Sequence, residues 1–200
     1  MTPRRVFSFA AALLAAACAT SCATRAPSEV RDERGLTITD HAWVGSGARG
    51  DFQRAVVLLE QEQYAAAIPV LVQVTEAAPR LTTPHVDLGI AYSRVGDLEH
   101  AKVSLEKALE LNPRHPAALN ELGIVYRKLG RFADARRSYE QALEHQPDFH
   151  FARLNLAILC DLYLADAKCA LEQYERYAQE VPADEKAAMW LADLRNRTGR

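Results

Sequence analysis

The chain has 200 residues, of which 49% are hydrophobic and 25% charged, so it is long enough for a folded core and too apolar for a disordered protein. Its formal net charge of −2 at pH 7 gives no basic excess, which argues against binding to the phosphate backbone of a nucleic acid. The composition therefore indicates a folded domain that does not bind nucleic acid.

Residues 1–17 have the pattern of a secretory signal peptide. Arg4 and Arg5 precede an uncharged run that ends in small residues and is too short to span a bilayer. The end of this run resembles the lipobox of bacterial lipoproteins, in which a small-residue tripeptide precedes a cysteine that becomes the lipidated N-terminus. The resemblance implies a membrane anchor, and an ordinary cleaved signal peptide is the alternative.

Two cysteines have small residues before them. Cys18 lies directly at the end of the apolar run and is the preferred lipidation site. Cys22 remains the alternative, because lipidation at Cys18 would leave Cys22 as an unpaired thiol in an oxidising compartment. Each is followed by alanine, which resembles the sorting signal for the periplasmic face of the outer membrane. More than one acyl chain would make such an anchor stable.

Residues 18–47 are rich in proline, serine, glycine and charge and have no helical period, which predicts a tether. Leu36 to Ile38 alternate like a strand, and Trp43 is a large aromatic residue. Two arrangements stay open, a free tether and one that docks on the domain that follows.

A 34-residue repeat begins after the tether and is marked by Pro79, Pro113 and Pro147. Other residues recur with these prolines, namely Leu88, Gly89, Tyr92, Gly96, Ala101, Leu105 and Ala108 in residues 82–115, and Leu122, Gly123, Tyr126, Gly130, Ala135, Tyr139 and Ala142 in residues 116–149. This pattern resembles the tetratricopeptide repeat (TPR), a pair of helices that cross closely at the small residues. The resemblance implies an all-α solenoid.

Two degenerate repeats flank the central pair. Residues 48–81 have Glu62 in place of the turn glycine, and residues 150–184 need one extra residue to restore the register. Such end repeats are normal in solenoids. Residues 185–200 contain an amphipathic stretch that predicts a capping helix. The expected fold is thus about four helical hairpins and a cap.

Cys160 and Cys169 occupy two positions of the last repeat that meet across a hairpin. In an exported protein this proximity predicts a disulfide. The alternative is a pair of small, buried thiols.

No catalytic or metal-binding signature is present. The six histidines are scattered, and the sequence has no H-E-x-x-H, no paired C-x-x-C and no phosphate-binding glycine loop. We therefore expect no enzyme activity, no cofactor, no metal and no small-molecule substrate.

In TPR arrays the first helix of each hairpin lines the concave face, so the resemblance implies a protein or peptide ligand there. A nearly continuous apolar stripe is predicted at the fifth and ninth repeat positions, and it is flanked by basic residues. The stripe comprises Phe52, Val56, Val86, Ile90, Asn120, Ile124, Leu154 and Ile158, and the basic residues are Arg94, Arg127 and Lys128. Burying such a stripe would gain about 25 cal/mol per Å². The alternative is a stripe half-buried between neighbouring helices or covered by the tether.

The mostly apolar groove differs from the TPR domains that clamp chaperone tails, which carry lysine and asparagine at these positions. Together with the lipobox, the repeats resemble bacterial TPR lipoproteins that serve envelope machines, and residues 155–163 resemble the TonB-associated group. We expect an outer-membrane-anchored, periplasmic scaffold that recruits a partner to a TonB-type or similar machine. The alternative is a pilotin-like assembly factor for a pilus or secretion secretin.

Overall fold

The computed structural model describes residues 30–31, 37–38 and 46–199. The predicted signal peptide, Cys18, Cys22 and most of the tether lie outside these residues, as does the docking of the tether. Two short strands, β1 (Val30–Arg31) and β2 (Thr37–Ile38), pair antiparallel. β2 coincides with the strand-like alternation in the sequence.

From residue 46 onward the described chain is entirely helical apart from its turns. The helices are α1 (Ser46–Glu60), α2 (Tyr64–Ala77), α3 (Thr82–Val95), α4 (Leu98–Leu111), α5 (Pro116–Lys128), α6 (Phe132–His145), α7 (His150–Leu162), α8 (Ala167–Glu180) and α9 (Glu185–Thr198). Each packs against its neighbours in sequence, and the first helices α3, α5 and α7 also contact one another in turn. The predicted all-α solenoid of helical hairpins is confirmed. No helix in this described part is both long and apolar enough to cross a bilayer.

Each central hairpin closes on a glycine of its first helix. A Cβ atom added to Gly89 would lie 2.5 Å from Cγ of Leu105, and one added to Gly123 would lie 2.5 Å from Cε1 of Tyr139. Real Cβ contacts are longer, so only glycine allows this helix separation. Glycine at these two positions therefore has a steric reason.

The hairpins share a continuous core. Leu105 and Tyr139 are fully buried at equivalent positions of α4 and α6. Tyr92 packs against the apolar clusters of the first and second hairpins, and Tyr126 against those of the second and third. These two tyrosines join the first three hairpins, and the cluster that contains both Tyr139 of α6 and Tyr174 of α8 joins the third hairpin to the fourth, which makes the array one folded unit.

The turns within the hairpins show why the end repeats look degenerate. Gly96 and Gly130 have positive φ values of 90° and 74° in the two central turns. Glu62 adopts φ 57° in the first turn, and Ala165 adopts φ 51° in the longer fourth turn. Side chains disfavour this left-handed region. The first and fourth turns thus keep the backbone shape of the glycine turns at a local energetic cost.

Helix α9 closes the C-terminal end of the solenoid. Its residues Ala187, Leu191 and Leu194 are buried against the fourth hairpin. Arg197 donates to both carboxylate oxygens of Asp161 in α7, at 2.9 and 3.2 Å. A second ion pair joins Arg195 to Glu175 of α8 at 2.7 Å, so apolar burial and two ion pairs fix the predicted cap.

Candidate protein-binding face

The fourth hairpin contains a Cys160–Cys169 disulfide between α7 and α8, as the repeat register predicts. Both sulfur atoms and an Asp166 carboxylate oxygen lie within 4.8 Å of one another, a grouping that free thiols could offer to a metal. The disulfide occupies both sulfurs. The Asp166 side chain accepts from the Cys169 amide at 3.0 Å and pairs with Arg136 at 3.2 Å. The group thus has a structural role in this form of the protein.

We call the side of the solenoid formed by α1, α3, α5, α7 and α9 the first-helix face. It contains the predicted apolar stripe, but neighbouring first helices cover much of that stripe. Val86, Asn120 and Ile124 are buried. The remaining members are half-buried, namely Phe52, Val56, Ile90, Leu154 and Ile158. This matches the half-buried alternative that the sequence left open.

The buried part of the stripe has a polar link. Asn155 of α7 donates its amide to the Asn120 side-chain oxygen of α5 at 2.9 Å. Because Asn120 is buried, this hydrogen bond satisfies a polar group that would otherwise be costly to bury. Asn120 therefore contributes to the contact between neighbouring first helices.

Three cations lie at the C-terminal ends of α3 and α5, and we call Arg94, Arg127 and Lys128 the cationic cluster. Lys128 donates to the backbone oxygen of Ser93 at 2.8 Å and to its hydroxyl oxygen at 3.1 Å. Arg94 is exposed and makes no hydrogen bond or ion pair with another described residue. Lys128 has no carboxylate within ion-pair distance among those residues. Arg94 and Lys128 thus lie near one another without a carboxylate partner in the described part of the chain.

One carboxylate, Glu121, is close enough to influence this cluster. Its Oε1 accepts from the Asn120 amide at 3.3 Å, and its Oε2 is buried without a hydrogen-bond partner in the described structure. Burial raises the pKa of Glu121, and the charges of Arg94 and Lys128 oppose that rise. Burial lowers the pKa of Lys128, and repulsion from Arg94 lowers it further. The negative charge of Glu121 therefore compensates only part of the positive charge of the cationic cluster.

Arg127 links the cluster to an exposed aromatic side chain. Its Nη1 donates to the hydroxyl of Tyr163 at 3.2 Å, and its guanidinium carbon lies 5.5 Å from the centre of the Tyr163 ring. Tyr163 also stacks at a tilt on Phe132, with ring centres 5.0 Å apart. These contacts hold Tyr163 beside the cationic cluster.

Three large apolar side chains that face solvent lie toward the C-terminus, outside the stripe that the sequence pattern predicts, and Val57, Val95 and Val103 are also exposed nearer the N-terminus. Leu162 is 67% exposed, Tyr163 41% and Met189 of α9 70%. Leu162 stands 34 residues after Lys128, which itself stands 34 after Arg94. Extending this row by one repeat would have found Leu162 from sequence alone. Tyr163 and Met189 need the structure, because their exposure depends on the extended turn and on the cap.

The opposite side of the solenoid differs in charge balance. A cavity of about 380 Å³ there is lined by residues of α6, α7 and α8, among them three arginines. Each arginine pairs with a glutamate, Arg136 with Glu140 at 2.8 Å, Arg153 with Glu180 at 2.9 Å and Arg176 with Glu172 at 3.1 Å. The cationic cluster of the first-helix face lacks such direct pairing, which distinguishes it as the stronger candidate for ligand binding.

Comparison with known proteins supports the repeat assignment. Residues 80–148 match the tetratricopeptide repeat family model. A segment of 64 residues, 32% of this chain, is 36% identical to anaphase-promoting complex subunit 3 of Dictyostelium discoideum. The matched segment spans only 7% of the length of that curated relative, so the likeness concerns the repeats.

Solved structures share the architecture. MamA of Desulfovibrio magneticus RS-1 aligns with a TM-score of 0.69 at 20% identity, over 78% of this chain and 88% of that one. PilF of Pseudomonas aeruginosa aligns with a TM-score of 0.69 at 20% identity, over 76% and 68%. A thermophilic TPR protein from Thermus thermophilus aligns with a TM-score of 0.65 at 25% identity, over 74% and 80%. These likenesses show a TPR-type fold.

Proposed function

We propose that this protein is a non-enzymatic scaffold whose first-helix face recruits a partner protein. The observation that carries the proposal is the combination of exposed apolar side chains, Leu162, Tyr163 and Met189, with the incompletely paired cations Arg94 and Lys128 on one face. Charged and apolar groups arranged in this way are typical of peptide-binding surfaces on helical repeats. TPR-type solenoids generally act through such contacts.

The scaffold is proposed to be a lipoprotein on the periplasmic face of the outer membrane, anchored through Cys18, with Cys22 as the alternative. The small residues before each cysteine support the anchor. The Cys160–Cys169 disulfide supports export, because disulfides persist in oxidising compartments and are rare in the cytosol. The tether would then hold the solenoid away from the lipid surface.

In that setting the partner would belong to an envelope machine, with a TonB-type transport system as the leading candidate. The support is the resemblance of residues 155–163 to the TonB-associated group. These residues form most of α7 and include the exposed side chains of Leu162 and Tyr163. The scaffold would bring a soluble or membrane component of the machine to the outer membrane through the first-helix face.

Site-specific photo-crosslinking in cells tests which face binds. A photoreactive amino acid at position 162 probes the first-helix face, and the same amino acid at Val103 is the matched control, because Val103 is 59% exposed on the second helix α4. The proposal expects a crosslinked partner from position 162 and none from position 103. Crosslinking only from position 103 would move binding to the other face.

Labelling with a radioactive fatty acid tests the anchor. Cys18→Ala should abolish labelling and release the protein from the outer-membrane fraction, whereas Cys22→Ala should leave both unchanged. The opposite pattern would assign the lipid to Cys22. If the wild-type protein carries no label and is found soluble in the periplasm, the ordinary signal peptide is supported.

A deletion strain tests the pilotin-like role. Loss of a multimeric secretin in that strain would indicate this role.

A further inference from the structure

The first-helix face changes character along its length. At the row of positions spaced by 34 residues, Glu60 is followed by Arg94, Lys128 and Leu162, and all four side chains are exposed. The two basic residues, Arg94 and Lys128, are therefore followed toward the C-terminus by the exposed apolar side chain of Leu162. The next carboxylate on that side, Asp161, has a side chain only 6% exposed and is already paired with Arg197.

We infer that the partner segment bound by this face carries an acidic side chain that pairs with Arg94 and Lys128, next to an apolar side chain that packs on Leu162 and Tyr163. The inference rests on the proposed function, which it makes more specific. The ligand is an acidic, apolar-flanked peptide segment of a protein.

The charge balance favours an acidic ligand over a neutral one. Among the described residues, the carboxylate that acts on Arg94 and Lys128 is that of the half-buried Glu121, whose Oε2 lacks a hydrogen-bond partner. A carboxylate placed between Arg94 and Lys128 would relieve their mutual repulsion, which contributes to the lowered pKa of Lys128. A basic ligand would increase the repulsion. A charge-assisted hydrogen bond to arginine is also stronger than a neutral one.

The spacing of the helices predicts the spacing of the two anchors in the ligand. Neighbouring packed helices have axes about 8–10 Å apart. An extended peptide advances about 3.3 Å per residue. An apolar residue about three positions from the acidic one would therefore reach Leu162 and Tyr163 while the acidic side chain lies at Lys128. The Arg127–Tyr163 contacts keep the apolar anchor site adjacent to the basic one.

The probe is a random 12-residue peptide library displayed on phage and selected against the full chain. We expect bound peptides to be enriched in aspartate or glutamate, with an aliphatic or aromatic residue about three positions away. One consensus peptide is then synthesised, and its affinity is measured by fluorescence anisotropy at low and high salt. The affinity should fall as the salt concentration rises, because the cationic cluster is partly exposed.

Charge reversal locates the acidic contact. Arg94→Glu/Lys128→Glu should weaken the consensus peptide about tenfold or more. Arg80→Glu/Arg114→Glu is the matched control, because it makes the same charge change at two exposed residues in the turns between hairpins, and it should change the affinity less than about twofold. Because Lys128 bonds to Ser93, Arg94→Gln with Lys128 retained is the second variant and should reduce both affinity and salt dependence.

The outcomes separate this inference from the proposed function. Acidic enrichment that disappears in selections against Arg94→Glu/Lys128→Glu supports the inference. Peptides without acidic enrichment whose binding is nevertheless lost on Leu162→Glu would overturn it and leave the scaffold function intact. Peptides that bind equally to wild type, Arg94→Glu/Lys128→Glu and Leu162→Glu would overturn both.

Discussion

Gly123→Ala is expected to destabilise the protein because the added methyl group has no room in the third hairpin. The new Cβ would lie 2.5 Å from Cε1, 2.7 Å from Cδ1 and 2.9 Å from Cζ of Tyr139. Tyr139 is fully buried at the centre of its hairpin and cannot swing away into solvent. The substitution must therefore separate α5 from α6 or force the tyrosine ring to shift.

Two opposing effects set the size of the change. Overpacking a core by about one methyl group costs about 1–3 kcal/mol. Replacing glycine by alanine within a helix gains about 1 kcal/mol. Because the clash is with three ring atoms of a fully buried side chain, the cost lies in the upper part of its range, and the net loss is about 1–2 kcal/mol.

Urea unfolding followed by circular dichroism measures this loss, and Gly50→Ala is the matched control. Gly50 is also helical, in α1, but a Cβ there would meet no atom within 4 Å. Gly50→Ala should therefore raise the free energy of unfolding by about 0.5–1 kcal/mol. If Gly123→Ala were as stable as wild type, or as Gly50→Ala, the close-crossing explanation of the repeat glycines would be refuted.

Three further results are expected. Cys160→Ala/Cys169→Ala, or reduction of the wild type, should lower the free energy of unfolding by about 2–3 kcal/mol because the disulfide closes a loop with a sequence separation of 9; equal urea midpoints with and without reductant would contradict this. Glu62→Gly should raise the free energy of unfolding by about 1 kcal/mol by relieving the positive φ, whereas Gln53→Gly at an exposed position in the middle of α1 should lower it by a similar amount, and thermal melts that rank them the other way would exclude the strain. Three helices, α4, α8 and α9, are capped by the side chains of Asp97, Asp166 and Asp184. The hydrogen bonds that these carboxylates accept from backbone amides hold their pKa values below the ordinary 3.8. The stabilisation by the caps is therefore complete above that pH and is lost as the pH falls through the lowered pKa values. Urea midpoints from about pH 5 to about pH 2 should fall less steeply in the triple asparagine variant, which still caps the helices, and an unchanged slope would rule out this contribution.

The repeat allowed much of the fold to be predicted. A fixed 34-residue period sets which residues of one helix meet those of the next, so the tight contacts at Gly89 and Gly123 and the proximity of Cys160 to Cys169 followed from register, and the disulfide followed once export was assumed. The sequence also marked the two unusual turns, the first by Glu62 in place of glycine and the fourth by its extra residue. In these turns Glu62 and Ala165 adopt positive φ.

The candidate site could be predicted only in part. Register identifies the helix face on which a side chain lies but not how closely the neighbouring helix covers it, so Val86 and Ile124 appeared available although they are buried. The incomplete pairing of Arg94 and Lys128 around Glu121 depends on distances between helices. Such distances arise from packing across repeats, which a single sequence pattern does not encode.

Binding of a partner to the first-helix face is tested most directly by hydroxyl-radical footprinting of the protein with and without the partner identified by crosslinking. Tyr163 and Met189 are exposed and chemically reactive, and Tyr64, which is half-buried on the second helix α2, provides a control in the same sample. A partner bound to the first-helix face should protect Tyr163 and Met189 from oxidation and leave the oxidation of Tyr64 unchanged. Protection of Tyr64 with continued oxidation of Tyr163 and Met189 would contradict it.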